Sequence, residues 1–436
     1  MRAINVRFDT HAPNEWNTPV PIEVFDDAMK RVGQPRVLRL ASGGELEVDR
    51  PGRYYVLATL PTGESVGASV EVTEDAKAPA DAVLVLGESS PWETLAWAFT
   101  RQRLPRERAA DKVLPVERFE FVPMGGVSLE GAARVDVLGM ADRRGRWILE
   151  PTHDATSWDP HVQNADPRLL GQLTIRRLPH VPIDPGERHH RNARWYPLLV
   201  RYRLPTRGGA TTFVAVPAGQ AVGEDHRQET VVLFARPDGV TAGSTVRTLV
   251  SGARAEAEAL LSYFENGVFA AARHLSEDLV GRAVSLLWDK LEDPFGAAMA
   301  GYVLLRTAAN PRDRQDKEGW MRNLANWFPL IPDGPVIYAA SLLRRHPNDD
   351  PAHLVEARSY LLEAVARGIP TYTIGLRLLF DTLRSLAEER ERDAELAAAL
   401  AKIRAVAAYA DWTAQTTTLT YSNPTALEGV FEMPNE

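Results

Sequence analysis

Residues 294–331 read PFGAAMAGYVLLRTAANPRDRQDKEGWMRNLANWFPLI, and the next two stretches also open on proline: PDGPVIYAASLLRRHPNDDPAHLVEARSYLLEAVARGI at 332–369 and PTYTIGLRLLFDTLRSLAEERERDAELAAALAKIRAVA at 370–407. Pro294, Pro332 and Pro370 thus stand 38 residues apart. The same offset relates Leu304, Leu342 and Phe380, and again Leu324, Leu362 and Leu400. Proline suits the first turn of a helix, where its missing N–H would have no partner anyway. Apolar residues at a fixed distance from each start are what stacked helix pairs need, because one pair alone cannot bury its apolar face. The spacing predicts an α-helical repeat domain, α-solenoid-like, over 252–412. Its first pair is expected at 255–265 and 268–275, broken at Asn266-Gly267, a good helix stop.

Within this stretch Glu356-Ala357, Leu361-Leu362-Glu363-Ala364, Gly368-Ile369-Pro370 and Leu376 form a helix–turn–helix boundary. Small residues let the helices approach, and the glycine ends the first of them. The region 253–410 resembles TPR or Sel1-like helical-repeat proteins at this boundary, with units longer than the ~34 residues of a TPR. The resemblance implies an extended surface that binds a protein partner.

Upstream the pattern is β. Val37–Leu40, Leu46–Val48, Tyr54–Leu60 and Val66–Val72 are short strand-like runs, separated by Ser42-Gly43-Gly44, Arg50-Pro51-Gly52-Arg53 and Pro61-Thr62-Gly63-Glu64. Such turn chemistry at regular intervals predicts a small β-sandwich-like domain over 1–75, with a hairpin in PGRYYVLATLPTG. Residues 76–117 read as a connector with a short helix at 91–103 carrying Trp92, Leu95, Trp97 and Phe99. A second β-rich, sandwich-like domain is expected over 118–251. Its candidate strands are 119–122, 134–138, 147–150, 173–178, 198–204, 211–216 and 230–235. The whole is a multidomain α+β chain. The last stretch, 413–436, is an extended C-terminal arm. Thr416–Tyr421 has strand propensity, and two readings stay open: an arm pairing with a sheet edge, or a frayed terminus.

Composition narrows the function classes. The chain has 436 residues and a formal net charge of −8, which argues against nucleic-acid binding by field alone. Cysteine is absent, which removes disulfides, thiolate metal sites and cysteine nucleophiles together. The start, MRAINVRFDT, lacks a signal layout, and no run approaches the length of a bilayer span. A cytoplasmic protein with no membrane partner is expected. Lysine occurs only at 30, 77, 112, 290, 317 and 402, against many arginines; with plentiful Ala, Gly and Pro this reads as a high-GC bacterial genome.

No motif carries chemistry. There is no P-loop, no G-x-G-x-x-G, no G-x-S-x-G elbow and no H-E-x-x-H. Six histidines, His153, His161, His180, His189, His190 and His226, share one stretch with several aspartates. A zinc or iron site would draw on His153, His161, His189 and His190. Their spacing follows no metal rule, and His189-His190 sits in the charged loop GERHHRN, so no metal or cofactor is assigned. Trp320, Leu324, Trp327 and Phe328 lie at helical spacing, as a core-facing stripe or as an aromatic groove for a partner. Trp320, Trp327, Phe328, Tyr372 and Tyr421 are the candidate partner-binding residues; no catalytic residue is assigned. The leading expectation is a non-enzymatic scaffold or adaptor for a protein partner. Alternatives are a hydrolase or metal-dependent enzyme using the histidine-rich 150–230 region, and a regulatory subunit of a multiprotein bacterial system of the defence or toxin kind.

Overall fold

The computed structural model describes residues 2–9, 19–60, 63–74, 78–86, 118–123, 134–140, 147–149, 169–176, 195, 197–203, 210–217, 229–235, 247–251, 284, 287–291, 293–307, 311–345, 351–389 and 393–421. The chain divides into two compact units, residues 1–105 with 254–281, and residues 106–253 with 282–436. β sheets come first along the chain and a helical region follows them.

The first unit holds β1 (Arg2–Asp9), β2 (Pro19–Phe25), β3 (Arg36–Arg39), β4 (Gly44–Val48), β5 (Gly52–Thr59), β6 (Ser65–Val72) and β7 (Ala80–Val85). They form two sheets, ordered β4-β1-β7 and β3-β2-β5-β6. Alternation explains which side chains are interior. Tyr54, Val56 and Ala58 of β5 are buried, as are Val66, Val70 and Val72 of β6, while the residues between them face outward or are half-buried. Such a period of two gives each strand one apolar face. The expected hairpin is present: β5 and β6 run antiparallel from Gly52 opposite Val72 to Thr59 opposite Ser65. Three strands of this unit were not legible in advance, and neither was the one at Arg247–Ser251 in the second. β1 and β2 precede the first run read from the sequence, and β7 occupies the start of the stretch read as a connector. β7 lies parallel to β1, from Ala80 beside Ile4 to Val85 beside Asp9. A parallel partner so distant in sequence leaves no turn signal to find. The helix expected over 91–103 lies outside the described residues.

The second unit contains β8 (Arg118–Pro123), β9 (Arg134–Met140), β10 (Trp147–Leu149), β11 (Leu169–Arg176), β12 (Leu198–Arg203), β13 (Thr211–Val216), β14 (Glu229–Ala235), β15 (Arg247–Ser251) and, near the C-terminal end of the described chain, β16 (Thr418–Tyr421). The sheets are ordered β10-β9-β12-β13-β16 and β15-β14-β11-β8. A hydrogen bond of 2.8 Å between the buried hydroxyls of Tyr202 on β12 and Thr248 on β15 joins one sheet to the other. β13 is buried along its whole length, Thr211 and Thr212 included, and lies antiparallel between β12 and β16.

Six helices are described after the strands: α1 (Pro294–Thr307), α2 (Pro311–Trp327), α3 (Asp333–Arg345), α4 (Pro351–Arg367), α5 (Thr373–Glu389) and α6 (Ala394–Ala407). α1 begins at Pro294, and α3 and α5 begin one and three residues after Pro332 and Pro370. Gly368 takes φ of 119° immediately after α4, a conformation few other residues adopt without strain. Side-chain burial departs from a strict 38-residue register. Leu304, Leu324 and Leu342 are fully buried, but Leu362, Phe380 and Leu400 are only half-buried. In their places Leu361, Leu379 and Ala399 turn inward. One residue is a rotation of about 100° on a helix, so unequal turns between helices shift the inward position. The expected helix pair at 255–275 lies outside the described residues.

Candidate functional site

The candidate surface starts from a short 3-10 turn, Asp289–Leu291, just before α1. It presents Trp288, 62% exposed, whose ring lies 4.4 Å from that of the half-buried Trp320 on α2, tilted by 59°. About two helical turns further along α2, Trp327 is 41% exposed. The Lys290 ammonium stands 5.1 Å from the Trp327 ring centre and donates to Leu287 O at 3.2 Å. Burial lowers the pKa of Lys290, as desolvation does to any cation. Leu291 beside them is also exposed. Water thus touches two tryptophans and a leucine on one edge of the helical region, with a cation held against the indole of Trp327.

The other candidate partner-binding residues lie inside. Phe328 is fully buried, and so are Tyr372 and Tyr421. Phe328 follows Trp327 by one residue, so it turns inward as its neighbour turns out. Tyr421 packs against Tyr409 at 4.2 Å and edge-on to Phe213 at 6.0 Å. The Tyr372 hydroxyl donates to Phe295 O at 3.2 Å. A partner meeting this structure touches none of those three rings. His153, His161, His189 and His190 lie outside the described residues. Among the described residues no group of three or more His, Asp or Glu could hold a metal ion, and no helix is long and apolar enough to cross a membrane.

Behind Tyr372 is a buried polar node that sequence reasoning missed. Asp333, the first residue of α3, is fully buried. Its Oδ1 accepts from the Tyr302 hydroxyl at 2.8 Å and from Tyr372 N at 3.4 Å, and its Oδ2 accepts from Thr371 N at 2.9 Å. Burial raises the Asp333 pKa in spite of those donors, and burial with the adjacent carboxylate raises that of Tyr302. Gly375 permits the approach: a side chain there would collide with the Tyr302 hydroxyl. Arg367, also buried, donates to Phe328 O at 3.0 Å and Ile331 O at 3.1 Å, fixing the turn between α2 and α3. In the sequence, Pro332-Asp333-Gly334 carries only the mark of a turn.

The node also holds the C-terminal segment. Thr417 N donates to Thr371 O at 2.9 Å, and Thr373 N donates to Gln415 O at 3.1 Å. Beyond them β16 pairs antiparallel with β13, from Thr418 opposite Val214 to Tyr421 opposite Thr211. Of the two readings left open for this stretch, Thr418–Tyr421 takes the sheet edge; residues 422–436 lie outside the described residues.

Residues 259–428 are similar to the Y4kD C-terminal domain family. That span reaches from before α1 to beyond β16. No curated protein and no solved structure matches the chain significantly.

Proposed function

We propose that the chain is a non-enzymatic scaffold or adaptor that holds a protein partner on its helical region. In this reading the helices form an α-solenoid-like array of the TPR or Sel1 kind, and the preceding sheets pack as sandwich modules that bind or space. The observation that carries the reading is the aromatic edge formed by the exposed Trp288 and Trp327 with the half-buried Trp320. Large aromatic surface left in water costs free energy that a partner recovers, and tryptophan is the residue most enriched among interface hot spots.

The test is purification from the native host, with partner stoichiometry and metal content measured on one sample, followed by affinity for the purified partner. A stoichiometric partner whose binding weakens roughly thirtyfold in Trp288→Ala/Trp320→Ala, as loss of a hot spot predicts, with an unchanged melting temperature, supports the proposal. A complex that survives the double substitution removes this edge from the interface. Bound zinc or iron in a lone protein, lost on His153→Ala or His189→Ala, replaces the scaffold by a metal-dependent enzyme.

A further inference from the structure

The seam between the α4–α5 turn and the C-terminal segment contains more polar groups than the protein itself satisfies. Thr371, Thr373 and Thr417 are each at most 1% exposed. None of their hydroxyls has a hydrogen-bond partner in the protein. They are neighbours: Thr371 and Thr417 are joined by the bond from Thr417 N to Thr371 O, and Thr373 lies two residues on. Thr371 Oγ1 lies close enough to the Asp333 carboxylate to lower its pKa, yet completes no hydrogen bond in the protein. An orphaned buried hydroxyl is destabilising, and native interiors hold few of them.

The carboxylate has a lone pair to spare. A carboxylate offers about four lone pairs. The Tyr302 hydroxyl and Tyr372 N meet Oδ1, whereas Thr371 N meets Oδ2. Its three donors are neutral, and the hydroxyls beside it both donate and accept. A water molecule is a small group able to donate to the carboxylate and accept from a hydroxyl at once, and buried waters characteristically make about three such bonds.

We infer that the seam is an internal water-binding site, in which ordered water bridges Asp333 Oδ2 to the hydroxyls of Thr371 and Thr417. The C-terminal segment is therefore seated on a hydrated layer, and its docking is hydrogen-bonded through solvent as well as directly. This does not depend on the scaffold reading.

Valine matches threonine in shape and deletes only the hydroxyl, so Thr371→Val and Thr417→Val in the full chain decide the question by sign. A bridging water predicts that each lowers the melting temperature by about 1.5 °C, the shift expected for roughly 1 kcal/mol in a unit of this size. It also predicts that the double variant loses less than the sum, because the two hydroxyls share a ligand. A rise in melting temperature in either variant means the hydroxyls are dry orphans and overturns the inference. A high-resolution crystal structure gives a second readout independent of the variants. Density for water in contact with Asp333 supports the site, and a metal ion or no density there overturns it.

Discussion

Asp333 is a carboxylate taken wholly out of water and answered only by neutral donors, and that choice has consequences at the scale of one residue. Burial raises its pKa from the usual 3.8, so the fold binds its proton more tightly than the unfolded chain does. The stabilisation linked to this group is complete below the unfolded value and is lost as pH rises through the raised folded one. In Asp333→Asn the amide cannot titrate, and its NH2 faces the Thr371 N–H, so the variant is less stable than wild type. Urea melts between pH 4 and 8 should show that gap narrowing as pH rises; a widening gap would contradict the assignment. Tyr302→Phe removes one donor from the same buried carboxylate and should cost about 1–3 kcal/mol. Neither residue announces itself in sequence. An aspartate after proline and before glycine is ordinary turn chemistry, and its burial follows only from the approach of Thr371 and Tyr372, some 38 positions later.

At the scale of elements, α6 is started from outside itself. Asp393 is its N-cap and accepts from Leu396 N at 3.1 Å. Arg358 on α4 grips the same carboxylate with two bonds, of 2.6 and 2.9 Å, and reaches Glu395 as well. The Arg358 bonds first, then the Leu396 amide, lower the Asp393 pKa to about 2. A depressed value contributes stability above the ordinary carboxylate pKa that is lost as pH falls through 2. Protection of the amides in the first turn of α6, measured relative to their intrinsic exchange rates, should therefore fall between pH 4 and 2 in wild type. Arg358→Ala should show that lower protection already at neutral pH. β16 is the second element whose place depends on others. Leu419 is fully buried and opposite Phe213, so Leu419→Ala should cost about 3 kcal/mol, within the range for buried leucines. The loss should appear as faster exchange along β13, whose edge β16 covers.

At the scale of the molecule, each unit has its own buried core: Ile4, Val20, Val56 and Leu84 in the first, Leu198, Val214, Leu304, Leu342 and Leu376 in the second. Val56→Ala should raise exchange through β1 to β7 and leave α3 to α5 unchanged. Spreading of the effect into the helices would mean that the units unfold as one. The strands and helices of the second unit are joined by a segment near its C-terminal end, because residues 415–421 bond first to the α4–α5 turn and then to β13. That arrangement explains why a reading along the chain separates them while the folded chain groups them.

The helices and most strands were legible because their causes are local. Proline at helix starts, glycine after α4, and the change of period from two to 3.6 each act within a few residues. The aromatic edge was half legible: Trp320 and Trp327 stood out at helical spacing, but Trp288 gained its place only by meeting Trp320 across 32 residues. Which residue of the Trp327-Phe328 pair faces water is a matter of helix rotation, and one residue of drift reverses it. The pairing of β7 with β1, the burial of Asp333 and the docking of β16 were decided by tertiary structure alone. Each depends on groups far apart in sequence, whose attraction is expressed only once the chain has closed the loop between them.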